Sequence, residues 1–244
     1  MIKAVFFDLF FTLADPHGEL EKNEYLPLSV SEETWGKTVW EKEFTDARGR
    51  GEYGCCEEIL SQICLRLPVK LTVQQKRKLH DALSFRMRKA LCELPPEILP
   101  VLRKLKSSGY RMGIISNADA YDILHWQESP LREVFDTAVF SCEAGFLKPE
   151  PRIFEIAMEQ MQVLPEESVF VGDGGSDELF GAKQLGMTTV LAEHLLRRDD
   201  TERNRISAWA DFRLERFSDL PGILSQSILS RAFHMPGSAF LCLS

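Results

Sequence analysis

Residues 2–7 form a short apolar run of β-branched and aromatic side chains that stops at Asp8. Such a run predicts a strand buried on both faces. From about Asp15 the periodicity changes. Ser31-Glu32-Glu33-Thr34 is a helix start, after which Trp35, Val39 and Trp40 fall at helical intervals, and Ile59, Ile63 and Leu67 repeat on one face. Leu79, Leu83, Phe85, Met87 and Leu91 predict a further helix with its basic residues on the solvated side. After Pro95-Pro96 strands and helices alternate: helix 98–108 ended by Gly109, strand 110–115, helix 121–128, strand 137–140 and helix 150–161. Strand 168–171, helix 178–185 closed by Gly186, and strand 188–191 follow. This order predicts an α/β fold with a doubly wound parallel sheet, interrupted after its first strand by a helical insertion. Residues 217–229 are expected to add an edge element and a helix, and the last dozen residues carry no functional signal.

Composition narrows the functional classes. The 244 residues are enough to bury a sizeable core, and the net charge of −8 argues against non-specific binding to nucleic acid or anionic membranes. No apolar run reaches the roughly 20 residues needed to span a bilayer, and the first residues lead straight into a strand without a signal-peptide pattern. A cytoplasmic protein is expected. The six cysteines show no CxxC pairing, and adjacent Cys55-Cys56 reads as a reduced pair near a helix start.

Candidate chemistry lies in four segments: Phe6 to Leu13, Ile114-Ile115-Ser116-Asn117, Lys148-Pro149, and Val171 to Glu178. Each follows a strand-type run or opens a helix, so a parallel sheet would gather all four at its carboxyl edge. Asp8, at a strand end, is the candidate nucleophile, since carboxylates form covalent intermediates. Thr12 offers a hydroxyl that, with nearby backbone N–H groups, would hold an incoming group. Asn117 is a candidate helix cap and substrate contact. Lys148 would offset charge on Asp8 and on a transferred group. Glycines around Asp173 allow close approach of backbone to ligand, and Asp173 with a second carboxylate gives oxygen ligands for a hard cation such as Mg²⁺. Asp177 is the preferred second ligand and Glu178 the alternative. Arg48-Gly49-Arg50-Gly51-Glu52-Tyr53 breaks the inserted helices and presents Arg48 and Arg50 as candidates for gripping a small anionic metabolite, or else forms a polar turn. Lys37 and Lys42 read as solvated helix residues, and Trp35 and Trp40 as core of the insertion.

The ordered set resembles the haloacid dehalogenase-like hydrolase superfamily through about residue 192. The resemblance implies a Rossmann-like core at 1–14 and 95–230, a helical cap domain at 15–94 and a C-terminal tail at 231–244. It implies Mg²⁺ held by Asp8, the Phe10 backbone carbonyl and Asp173, and it makes Ser116 the hydroxyl that binds a phosphoryl oxygen. Phe10 is a departure: phosphatases of the superfamily usually have an aspartate there, which protonates the leaving group and later activates water. Phe11 replaces a frequent glycine. Three functions follow: an Mg²⁺-dependent hydrolase of phosphorylated or phosphonylated metabolites acting through an aspartyl intermediate; a metal-independent haloacid-type dehalogenase, which shares an aromatic residue at position 10; or a catalytically weak binding or regulatory protein. Neither substrate identity nor oligomeric state is legible.

Overall fold

The computed structural model describes residues 1–16 and 21–225. Six strands, β1 (Ala4–Phe7), β2 (Arg111–Ser116), β3 (Thr137–Phe140), β4 (Ser168–Gly172), β5 (Thr188–Ala192) and β6 (Phe212–Leu214), form one parallel sheet in the order β3-β2-β1-β4-β5-β6. β1 lies at the centre. Its residues alternate between two cores: Val5 and Phe7 face one cluster, Ala4 and Phe6 the other. Full burial of Phe6 and Phe7 contributes on the order of 2 kcal/mol each, which makes β1 a firm support for the residue that follows it.

Eleven helices complete the described chain. Between β1 and the second strand lie α1 (Lys22–Tyr25), α2 (Glu32–Val39), α3 (Lys42–Gly49), α4 (Cys56–Arg66), α5 (Val73–Cys92) and α6 (Ile98–Ser107). The crossovers of the sheet carry α7 (Ala120–Ile123), α8 (Ser141–Ala144), α9 (Pro151–Met161), α10 (Glu178–Gln184) and α11 (Asp200–Ser207). α6 buries Ile98, Val101, Leu102 and Leu105 on one face of the sheet, while α9 and α10 bury Phe154, Ala157, Leu179 and Ala182 on the other. A third core, including Tyr25, Trp35, Phe44, Ile59, Ile63, Leu79 and Leu83, belongs to the inserted helices and is closed by Tyr121. None of the described helices is long and apolar enough to cross a membrane.

Several expectations need correction. The helix expected over 121–128 is instead α7 followed by a separate 3-10 turn at Trp126–Glu128. The edge strand falls at Phe212–Leu214, ahead of residue 217, where a 3-10 turn begins. The 231–244 tail and the end of the expected 217–229 helix lie outside the described residues. Trp40 caps the end of α2 and is 51% exposed rather than core, and Phe85 is 54% exposed because it lies off the stripe that Leu79, Leu83, Met87 and Leu91 make at four-residue spacing. Arg86 is not on the solvated face of α5: it is buried, donating to Glu24 Oε1 at 2.5 Å and to the Pro16 carbonyl at 3.3 Å. Lys37 and Lys42 are exposed and pair with Glu33 and Asp46 four residues away, as solvated helix residues do.

Candidate active site

Register brings the catalytic candidates to one edge. Phe7 lies opposite Ile114 and Val171, and the Asp8 N–H extends the pairing to the Val171 carbonyl at 2.9 Å. Asp8 therefore leaves the sheet beside Ser116-Asn117 and Gly172-Asp173, at the carboxyl ends of the neighbouring strands. Lys148 enters from the loop between α8 and α9 and is almost fully buried. Its Nζ donates to Asp8 Oδ1 at 2.5 Å and to Glu178 Oε2 at 2.5 Å. The Asn117 side chain holds this lysine's backbone from both sides, accepting its N–H at 2.7 Å and donating to its carbonyl at 3.2 Å. Each end of that amide thus makes one bond that positions Lys148, Asn117 also lines the cavity, and the cap of α7 is Asp119, not Asn117.

Local geometry explains which acid of the glycine-rich turn enters the site. Ser176 and Asp177 both adopt left-handed conformations, with φ of 52° and 50°. Two such residues in succession turn Asp177 outward, where its carboxylate takes an ion pair from Arg205 at 2.5 Å. Glu178 opens α10 and points inward, with Oε1 accepting the Gly174 N–H at 3.0 Å. The preference for Asp177 is thereby corrected: the acids that converge are Asp8, Asp173 and Glu178, each buried, with one oxygen apiece within 4.8 Å of the others.

Charge in this cluster is finely set. Burial pushes the Asp8 carboxyl above the usual carboxylate range, Lys148 pulls it back, and the charge of Asp173 adds to the rise. Burial raises Glu178 well above its ordinary value, against the pull of Lys148 and with the repulsion of Asp8 and Asp173. Burial alone would lower the Lys148 ammonium, but Asp8 and Glu178 together hold it above its ordinary value. Lys148 is thus a fixed cation shared by two acids.

Thr12 is buried and donates its hydroxyl to Asp8 Oδ2 at 3.3 Å, so at rest it faces the carboxylate. Ser116 is also buried at the end of β2, but its hydroxyl reaches only the Asn117 carbonyl at 3.4 Å and does not line the cavity above Asp8. Arg48 and Arg50 separate. Arg50 pairs with Glu150 outside the cavity. Arg48 lines the cavity, 7% exposed, with Nη1 3.2 Å from Asp119 Oδ2 and Nη2 donating to the Val39 carbonyl at 3.0 Å. Phe10 and Phe11 line the same cavity, and Phe11 sits at a φ of 59°, a conformation that favours glycine.

Sequence reasoning missed Arg198. It sits in the irregular segment after β5, donating to Asp173 Oδ2 at 2.6 Å and to the Asp173 carbonyl at 2.5 Å while lining the cavity. No periodic signal marks that loop. Also missed was Ser141, whose hydroxyl accepts the Ala118 N–H at 2.9 Å and ties down the loop after β2.

The arrangement offers a buried carboxylate at a cavity mouth, an adjacent fixed cation and a set of converging oxygens. An all-carboxylate donor set of this kind suits a hard cation such as Mg²⁺. Comparison with known proteins places the chain among relatives of the same fold. A 2-haloacid dehalogenase from Pseudomonas syringae pv. Tomato shares the fold with a TM-score of 0.66 at 22% identity, over 93% of this chain and 99% of that one. A HAD phosphatase from Thermococcus onnurineus does so with a TM-score of 0.63 at 23% identity, over 91% and 98%. In sequence, glyceraldehyde 3-phosphate phosphatase of Methanothermobacter thermautotrophicus is 32% identical over 84% of this chain and 92% of its own. The model of the haloacid dehalogenase-like hydrolases matches residues 2–186, and the chain belongs to that family.

Proposed function

We propose that the protein is an Mg²⁺-dependent phosphatase of small phosphorylated metabolites, with Asp8 as nucleophile, working in the cytoplasm. The observation that carries this reading is the placement of Lys148 between Asp8 and Glu178 with Asp173 alongside. The relative of nearly matching length is named a phosphatase of a small phosphorylated metabolite, which supports the substrate class.

Asp8, Asp173 and Glu178 would hold the metal, with the Phe10 carbonyl as a further oxygen. Bound Mg²⁺ would offset negative charge between the phosphoryl group and these acids. An Asp8 oxygen attacks phosphorus, the ester P–O bond breaks, and its electron pair leaves with the alcohol oxygen. Lys148 offsets the burial that raises the Asp8 carboxyl and shields it from the incoming anion. Thr12, which donates to Asp8 Oδ2, would transfer that hydroxyl bond to a phosphoryl oxygen. Water then attacks phosphorus, restoring Asp8 and releasing phosphate. Phe10 can neither protonate the departing oxygen nor activate that water, so both protons move through solvent. Loss of such an acid/base typically costs about 10²–10⁴ in rate, and the enzyme is best suited to leaving groups that depart without help.

The dehalogenase reading is favoured by Phe10 alone and gives the three converging acids no role. Phosphate esters, phosphonates and 2-haloacids assayed with Mg²⁺ and with chelator separate the readings. Metal-dependent phosphate release supports the proposal. Halide release in chelator, or no turnover of any compound, refutes it.

A further inference from the structure

The cavity over Asp8 has a volume of about 560 Å³, larger than a phosphoryl group needs. Away from the acid cluster its lining includes Arg48, Arg86, Asp119 and Asp122. Two arginines look like a second anion site, yet both are already matched. Arg48 lies 3.2 Å from Asp119 and Arg86 2.5 Å from Glu24, all four side chains being buried. Asp122 is the charge left over. One oxygen accepts the Asp119 N–H at 2.9 Å, and no described cation pairs with it. Burial and the neighbouring Asp119 push this carboxyl up to about 7, against the weaker pull of Arg48 and Arg86, which marks the surroundings as short of positive charge. One donor is left over too. The Nε of Arg48 is buried without a hydrogen-bond partner, in a residue that lines the cavity. A ligand hydroxyl can donate to Asp122 without adding a charge beside it. A second carboxylate or phosphate has no proton to donate and would meet the uncompensated Asp122.

We infer that this wall selects phosphate esters whose leaving group carries a hydroxyl and no second negative charge. The inference rests on the reading of Asp8 as a phosphoryl-transfer centre, but its test does not require turnover. Glycerol 3-phosphate and 3-phosphoglycerate share a three-carbon chain and differ in a hydroxymethyl against a carboxylate. Each is titrated calorimetrically into the full-length Asp8→Asn protein with Mg²⁺ at pH 8, where neither is consumed. Glycerol 3-phosphate is expected to bind at least tenfold more tightly, and adding Asp122→Asn, which keeps an oxygen for the Asp119 N–H, is expected to shrink the ratio below about threefold. Equal or tighter binding of 3-phosphoglycerate, failure of both to bind, or a ratio unmoved by Asp122→Asn overturns the inference. Should the double variant not fold, the ratio in Asp8→Asn alone decides. Selective binding without turnover by the unmutated protein would refute the phosphatase reading and leave the selectivity standing.

Discussion

A Cβ atom at position 172 would lie 2.1 Å from Glu178 Oε1, so the glycine that ends β4 is what admits the Glu178 carboxylate to the site. The two residues act as one device: Gly172 leaves the space, and Lys148 with the Gly174 N–H fills the hydrogen-bonding capacity of the acid that enters it. Because Gly172 lies in an extended strand, the cost of a side chain there is the collision rather than backbone conformation. Gly172→Ala is expected to displace Glu178 and weaken Mg²⁺ binding about tenfold or more, on the scale of losing a supporting contact in a metal site. Calorimetric titration of Mg²⁺ into both proteins checks this, and unchanged affinity would remove Glu178 from the metal set.

Lys148 is the sole counter-ion bonded to Asp8 among the described residues. Lys148→Met would leave two buried acids without a cation, and breaking a buried pair on one side costs roughly 3–5 kcal/mol. The acids escape part of that penalty by binding protons, so the loss should be large at pH 8 and smaller at pH 5. Denaturant unfolding at both pH values measures it; equal losses would mean that Asp8 and Glu178 do not share the lysine's charge.

Arg198 adds a positive charge beside Asp173 that the phosphoryl group of a substrate would feel. Arg198→Ala is expected to raise KM for an anionic ester about tenfold, and Arg198→Lys to recover most of it. Steady-state kinetics at saturating Mg²⁺ provides the check, since a failure of lysine to rescue would point to guanidinium geometry instead of charge.

Folding also depends on pH through Asp122. Its carboxyl titrates near 7 in the folded protein, against 3.8 as the ordinary value, so the folded state holds the proton more tightly. The unfolded chain binds fewer protons between about pH 4 and 7, and stability falls as pH rises through that window. Asp122 feels Asp119 at the cap of its own helix and, more weakly, Arg48 and Arg86, and it is only half-buried, so the effect should be at most about 2 kcal/mol. Asp122→Asn should remove this slope from unfolding curves recorded between pH 5 and 8. A slope that survives the substitution would assign it to other groups.

Much of the site was legible because strand ends announce themselves. Asp8 and Asp173 each stop an apolar run, and parallel register then forces them together. Lys148 stands out through the proline that follows. What escaped depends on backbone conformation or distant partners. The choice between Asp177 and Glu178 turns on two consecutive left-handed residues that no composition rule marks. Arg50 looked like a substrate contact until its partner emerged 100 residues away at Glu150. Arg86 looked solvated because its acid, Glu24, comes from another helix. The fold was legible for the converse reason, since β1 and the helices beyond residue 95 carry patterns that are local.

Phe10, which lines the cavity over Asp8, has no proton to give a departing oxygen, and a leaving-group dependence is expected from it. Aryl and acyl phosphates should be turned over much faster than alkyl phosphates, and Phe10→Asp should narrow the gap. Phe10 packs against the core, so folding of the variant is confirmed first by circular dichroism. A flat leaving-group profile unchanged by the substitution would mean that another residue supplies the proton.

The central claim is a phosphoryl group carried on Asp8. Turnover of an ester labelled at phosphorus, quenched with acid and followed by peptide mapping, tests it most directly. The account predicts label on the peptide containing Asp8 in the presence of Mg²⁺, and none in Asp8→Asn. Label on a different residue, or undiminished phosphate release by Asp8→Asn, would contradict it.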